Sequence, residues 1–236
     1  LVGPSRLSVG ARTILHGDGG LSEHLKALRI SPEVLSFVPI RELYETYSFS
    51  DLARHRAVLI IPYQVSIMSL FEYYAMQIPI FAPSLELLIE WQVNHLVLDE
   101  LSWNCVHKKC NQSSQLRPHK ASANLGFDPN DVSNSSVLRH WLLFADFYQW
   151  PEIILFDSWE DLISKIDSTD LSVVSEKMGL YRKQQIERVT NTWSDIFKVL
   201  KKAKEAPVYI PNNDNRAWER SMLRNHPGLS LKSLSE

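Results

Sequence analysis

Cysteine is scarce in this chain, with two in 236 residues, and glycine is not much commoner at eight. Cys105 and Cys110 are too few for a disulfide framework and lack the paired spacing of a zinc ribbon. Neither sign of charge is in excess: 25 Lys and Arg stand against 27 Asp and Glu, for a formal charge of -2. That balance leaves no basic footprint for nucleic acid and no polyelectrolyte character. Long hydrophobic runs are missing too. The longest, Ala57 to Ile61 and Ile78 to Pro83, fall far short of the ~20 residues that cross a bilayer, and no secretory leader is recognisable, so no membrane span is expected in this segment. There is no internal repeat and no low-complexity tract. What remains is 44% hydrophobic and 22% charged, the composition of a globular protein rather than a disordered one. The first residue is Leu1, which leads to the expectation that the chain is a piece of a longer protein.

The apolar residues are arranged in alternation. Stretches of strand length give way to stretches with helical periodicity, the pattern of a parallel sheet with crossover helices, so the fold class expected is α/β. Ala57 to Ile61 is continuous, rich in Val and Ile and closed by Pro62, as a fully buried strand is. From Ser66 onward Ile67, Leu70, Phe71, Tyr74, Ala75 and Ile78 recur at helical spacing and predict a helix packed back on the sheet. Ile78 to Ala82 reads as the next strand, and Ser84 as the N-cap of a helix over Leu85 to Gln92. Glu152 to Phe156 predicts a further strand. Ser158 with Asp161 makes a capping-box start for a helix through Ile166. Ile186, Val189, Trp193, Ile196, Phe197 and Leu200 mark one face of a long C-terminal helix.

Residues 1–204 are therefore expected to form one domain, with a polar loop or insertion at 104–136 and a polar tail at 205–236. The loop holds Cys105, His107, Cys110 and His119, types that ligate zinc but at a non-standard spacing. It also holds two glycosylation sequons, Asn111 with Ser113 and Asn134 with Ser136. The sequons and a potential Cys105–Cys110 disulfide lean towards a secretory-pathway lumen. Asp18, Gly19 and Gly20 read as a turn before they read as a phosphate cradle, and Lys201 to Lys204 as a solvated helix end.

Chemistry concentrates in residues 62–84, PYQVSIMSLFEYYAMQIPIFAPS. This segment places polar residues at the carboxyl end of a buried strand and the start of a helix, where open α/β sheets bind ligands. Free amides at a helix amino end favour a diphosphate, so Val65, Ser66 and Ile67 are candidate donors, with hydroxyls from Ser66 and Ser69. Glu72 falls at the border of the apolar stripe, and an ionised carboxylate accepts hydrogen bonds, as from a vicinal diol. Tyr63, Phe71, Tyr73 and Tyr74 are aromatic residues at a spacing that suits core packing better than base stacking.

These residues resemble the donor-binding half of GT-B glycosyltransferases, whose pattern is Glu, seven residues, Glu, Ala-Met, a small residue, Pro and a strand. Here Gln64 stands at the first acid, Glu72 at the second, Ala75 and Met76 at the pair, and Pro79 before the strand. PEIILFDSWEDLISKI and SEKMGLYRKQQIERVTNTWSDIF resemble the late strand and helices of the same domain. The chain more loosely resembles exostosin-like members.

The resemblance implies a Rossmann-like sheet forming the C-terminal half of a GT-B architecture. It implies Glu72 on the nucleotide ribose and Gln64 facing the donor sugar, with Val65, Ser66 and Ser69 completing a donor site. The reaction it implies is transfer of a sugar from a nucleoside-diphosphate donor to a glycan or other acceptor. Charge on the leaving group would be met by helix dipoles and basic side chains, candidates being Arg6, Lys108, Lys109 and Arg117, with no metal and no cofactor. The general base would come from an N-terminal Rossmann domain outside this chain, without which the fragment is expected to be inactive. Two other readings remain. Gln64 in place of an acid favours a non-catalytic relative serving as a binding or scaffolding module, and the cysteine loop would allow a metal-stabilised binding domain.

Overall fold

The computed structural model describes residues 2–3, 9–31, 35–98, 127 and 134–205. By internal contacts the chain divides into two units, Leu1–Gln184 and Gln185–Glu236.

The first unit is built on a parallel sheet of five short strands: β1 (Val2–Gly3), β2 (Val38–Pro39), β3 (Val58–Leu59), β4 (Ile80–Pro83) and β5 (Ile154–Phe156). Their order across the sheet is β2-β1-β3-β4-β5, every pairing parallel. Register is set at the centre by Val58 opposite Ile80 and Leu59 opposite Phe81, and further out by Phe81 opposite Ile154. The fold is thus α/β with a parallel sheet and flanking helices, as the alternation of apolar patterns predicts.

Burial explains why the central strands read as continuous apolar runs. Val58, Leu59, Ile80, Phe81 and Ala82 are all buried, which in a parallel sheet requires cover on both faces. Strand ladders are shorter than the apolar runs that announce them, yet Ile60 and Ile61 are buried with β3, and the Ile60 amide still reaches the Phe81 carbonyl at 2.8 Å.

Helices α1 (Val9–His16) and α2 (Leu21–Ala27) follow β1, and the short α3 (Ile40–Leu43) and α4 (Phe49–Leu52) follow β2. Helix α5 (Met68–Ala75) links β3 to β4, and α6 (Leu85–His95) follows β4. Then come α7 (Ser135–Leu142), α8 (Asp146–Gln149), α9 (Trp159–Ser168) and α10 (Leu171–Glu205). Helix α1 packs on α2 and α6, and α6 on α7.

Capping signals hold where they were legible. Ser84 Oγ accepts from the Leu87 amide, and Ser158 Oγ from the Asp161 amide at 3.1 Å. The helix expected from Ser66 instead begins at Met68, because Ile67 is extended and takes the N-cap position. The polar stretch expected to run to Ser136 ends earlier. Asn134 Oδ1 accepts from the Ser136 and Val137 amides and starts α7, the ordinary work of an Asn cap.

The end of α5 shows how sequence and packing combine. The Gln77 amide bonds the Tyr74 carbonyl and the Ile78 amide the Tyr73 carbonyl, a Schellman closure in which Gln77 takes the left-handed conformation at φ 60 usually left to glycine. The first turns of α10 pack here: Arg182 Nη1 donates to the Ala75 carbonyl at 3.0 Å, and Gly179 has no side chain to collide with Gln77. Tyr74, Trp150 and Tyr181 interlock edge to face, Tyr74 and Trp150 at 4.7 Å between centroids, a geometry favoured by the ring quadrupoles.

Candidate functional site

In a sheet of this order the direction of chain progression reverses between β1 and β3. Ligands of open α/β sheets bind outside the carboxyl ends of the strands at that switch. The described half of the switch is the turn from Ile60 to Ile67, which leads from β3 into α5 and contains the residues singled out by the sequence.

Within that turn, Gln64 is half-buried and its Nε2 donates to the Tyr63 hydroxyl at 3.1 Å. Val65 packs against the core while its carbonyl accepts from the Asp146 amide at 3.1 Å. The exposed Ser66 hydroxyl donates to Asp146 Oδ2 at 2.5 Å. On α5, Ser69 is half-buried beside Tyr73, and Glu72 is exposed. The sequence-predicted residues therefore share one turn and the helix after it, but they are not all free: Val65 and Ser66 are engaged by the first residue of α8.

Helix α8 crosses this end of the sheet. Asp146 holds the turn after β3, Phe147 is buried in the core, and the Tyr148 hydroxyl donates to the Pro83 carbonyl at the end of β4, 3.0 Å away. Burial pushes the Tyr148 hydroxyl well above the usual phenol range, with the Glu86 charge adding to it. Side chains of α8 thus bind the turn after β3 and the carboxyl end of β4. Nothing in residues 145–150 announced this, because the contacts span about eighty residues of sequence.

The aromatic residues of α5 divide as their spacing suggests. Tyr73 and Tyr74 are core residues, only 2% and 0% exposed. Burial raises both hydroxyls to about 12; for Tyr73 a bond with the Ser69 side chain opposes the rise.

A separate cleft of about 290 Å³ lies where the turn between α1 and α2 meets α6 and the start of α9. Trp91 and Trp159, 5.1 Å apart between centroids, form its apolar wall, and Asp18, Glu90 and Glu160 its acidic side. His24 Nδ1 lies 3.1 Å from the Gly20 carbonyl and Nε2 2.7 Å from Glu160 Oε1. Hydrogen bonds from its own backbone and from Ser158, with His24 behind them, hold the Glu160 carboxyl below the usual range.

In the same turn, the Gly19 amide donates to Glu23 Oε2 at 2.8 Å. Asp18, Gly19 and Gly20 are therefore a turn closed by a carboxylate, as the sequence favoured. Carboxylates on this cleft repel a diphosphate, and none of Gln64, Val65, Ser66, Ser69 or Glu72 lines it.

Among the described residues no group of three or more His, Cys, Asp or Glu is placed to hold a metal ion, and no helix is long and apolar enough to cross a membrane. Arg6, Lys108, Lys109, Arg117, Cys105, His107, Cys110, His119 and the Asn111 sequon lie outside the described residues. No protein-family model, curated protein or solved structure matches the chain.

Proposed function

We propose that this chain is the nucleotide-sugar-binding part of a glycosyltransferase that moves a sugar from a nucleoside-diphosphate donor to a glycan or other acceptor. The observation that carries the proposal is the position of the turn from Pro62 to Ser69. It leaves the carboxyl end of β3 beside the reversal in strand order, and Glu72 stands exposed on the helix that follows.

In this reading Glu72 accepts hydrogen bonds from the ribose hydroxyls and Gln64 from or towards the donor sugar. The amino end of α5, which has no side-chain cap, faces the diphosphate with Ser69. As the anomeric carbon becomes cationic, negative charge builds on the leaving diphosphate, and preorganised amides stabilise it without reorganisation. No metal is required, and the acceptor's general base comes from an N-terminal Rossmann domain, so the GT-B architecture is part of the proposal.

Ser66 is bound to Asp146, so donor binding requires either that Ser66 stay out of the contact or that Asp146 move. The engagement of Ser66 and the amide at position 64 favour a second reading, a non-catalytic module that keeps the fold as a scaffold. Titration of the chain with nucleoside diphosphates and their sugars, followed by calorimetry or thermal shift, separates the two. The first reading expects saturable binding of one nucleotide class that weakens at least roughly tenfold, or 1.4 kcal/mol, in Glu72→Ala. No response to any nucleotide, with the variant indistinguishable, overturns it in favour of the second.

A further inference from the structure

We propose that residues 186–200 of α10 are a dimerisation face, pairing helix to helix with a second copy of this chain. Ile186, Val189, Trp193, Ile196 and Leu200 follow one another at intervals of three, four, three and four residues, the spacing of a coiled-coil seam. All five are exposed, as are Phe197 and Val199 beside them, with 40% to 66% of each side chain open.

This seam is not the core-facing stripe carried further along the helix. Leu171, Val174, Met178 and Tyr181 pack into the core, and the same spacing continued would reach Gln185 and Arg188. The seam begins one residue later, at Ile186, and so is out of step with that spacing.

Three features select a second copy as its occupant. First, the positions flanking the seam are Thr190, Thr192, Phe197 and Val199. None is charged, so two copies meet without like-charge repulsion at the positions that normally set partner choice. Second, the seam positions themselves carry no charge: Arg188 and Lys202 are on the polar face, and of the two lysines bordering the groove beside Trp193 and Phe197, Lys198 and Lys201, Lys198 is paired with Asp195 at 2.9 Å. Glu187 and Asp195 share that face, which makes it a poor match for an anionic lipid surface. Third, a standard interface takes roughly 800 Å² from each partner, the scale that seven half-exposed large apolar side chains offer. Trp193 and Phe197, 5.8 Å apart between centroids, edge a shallow groove with Val189, Thr190, Lys198 and Lys201.

The test is the mass of the full chain in solution by sedimentation equilibrium, from low to high micromolar. The expected result is a mass rising towards twice the monomer's 27.2 kDa, and a return to the monomer across the whole range in Ile196→Glu with Leu200→Glu, far-ultraviolet circular dichroism being unchanged. Should that pair fail to fold, Ile196→Ala with Leu200→Ala keeps helix propensity and is expected to weaken association at least roughly tenfold. A wild-type chain that stays monomeric overturns the proposal, as does a dimer indifferent to these substitutions. So does a monomer that co-sediments with vesicles of phosphatidylcholine and phosphatidylserine through this face.

Discussion

The Ser66 hydroxyl donates to the Asp146 carboxylate at 2.5 Å, joining the turn after β3 to the first residue of α8. A second bond, from the Asp146 amide to the Val65 carbonyl, runs beside it. Together they fix the approach to the carboxyl end of β3, the place where the donor is proposed to bind.

A hydrogen bond to a charged group contributes about 1.5–3 kcal/mol where it is shielded and less where water competes. Ser66 is exposed and Asp146 half-buried, so Ser66→Ala is expected to lower stability by about 1 kcal/mol. Urea denaturation of Ser66→Ala, Asp146→Ala and the double variant measures it. Strict additivity of the two losses would show the contact to be energetically empty.

Gln92 is the buried polar residue of the described core, and its Oε1 accepts from the Leu98 amide at 2.7 Å. Gln92→Leu keeps the apolar bulk but strands that amide away from water, at a cost of about 1–3 kcal/mol. Chemical denaturation is expected to show a lower midpoint with an unchanged slope. A variant as stable as the wild type would mean that water reaches Leu98.

Leu96 ends α6 in the left-handed conformation, at φ 52 and ψ 51. Its side chain is 58% exposed, so little burial is lost when it is removed. A left-handed L-residue pays roughly 1–2 kcal/mol that glycine does not, partly offset by the greater freedom of glycine in the unfolded chain. Leu96→Gly is expected to raise the melting temperature by a few degrees, and a fall in differential scanning calorimetry would refute this.

Tyr73 and Tyr74 have hydroxyls raised by burial to about 12 from 10.0. For an acid that is neutral when protonated, a higher folded pKa means the native state holds its proton longer, so stability falls with pH where the unfolded chain has already ionised. The contribution is present below pH 10 and is lost between about 10 and 12. Denaturation across that range, with tyrosinate absorbance followed in parallel, is expected to show the loss, and Tyr73→Phe to reduce it. Stability that is flat to pH 12 would contradict the buried, protonated state.

Several parts of the fold were legible because their signals are local. Serines 84 and 158 announce helices through a bond three residues away, and the apolar runs at 57–61 and 78–83 announce strands that need cover on both faces. The start of α5 was not legible: the helical spacing points to Ser66, but Ile67 takes the N-cap position and the Ser66 hydroxyl goes to a partner eighty positions on. Nor was the cleft at Trp91 and Trp159, whose walls come from α6, α9 and the turn before α2.

The amino-acid order alone determined the alternation of strands and helices, the near balance of charge and the apolar helix face from Ile186 to Leu200, since each depends on near neighbours or on composition. Tertiary structure decided the strand order, the docking of α8 against the turn after β3 and the end of β4, and which polar groups bind one another. Those outcomes depend on which distant segments meet, and pairing at long range is selected by the burial of the whole sheet rather than by any one stretch of residues.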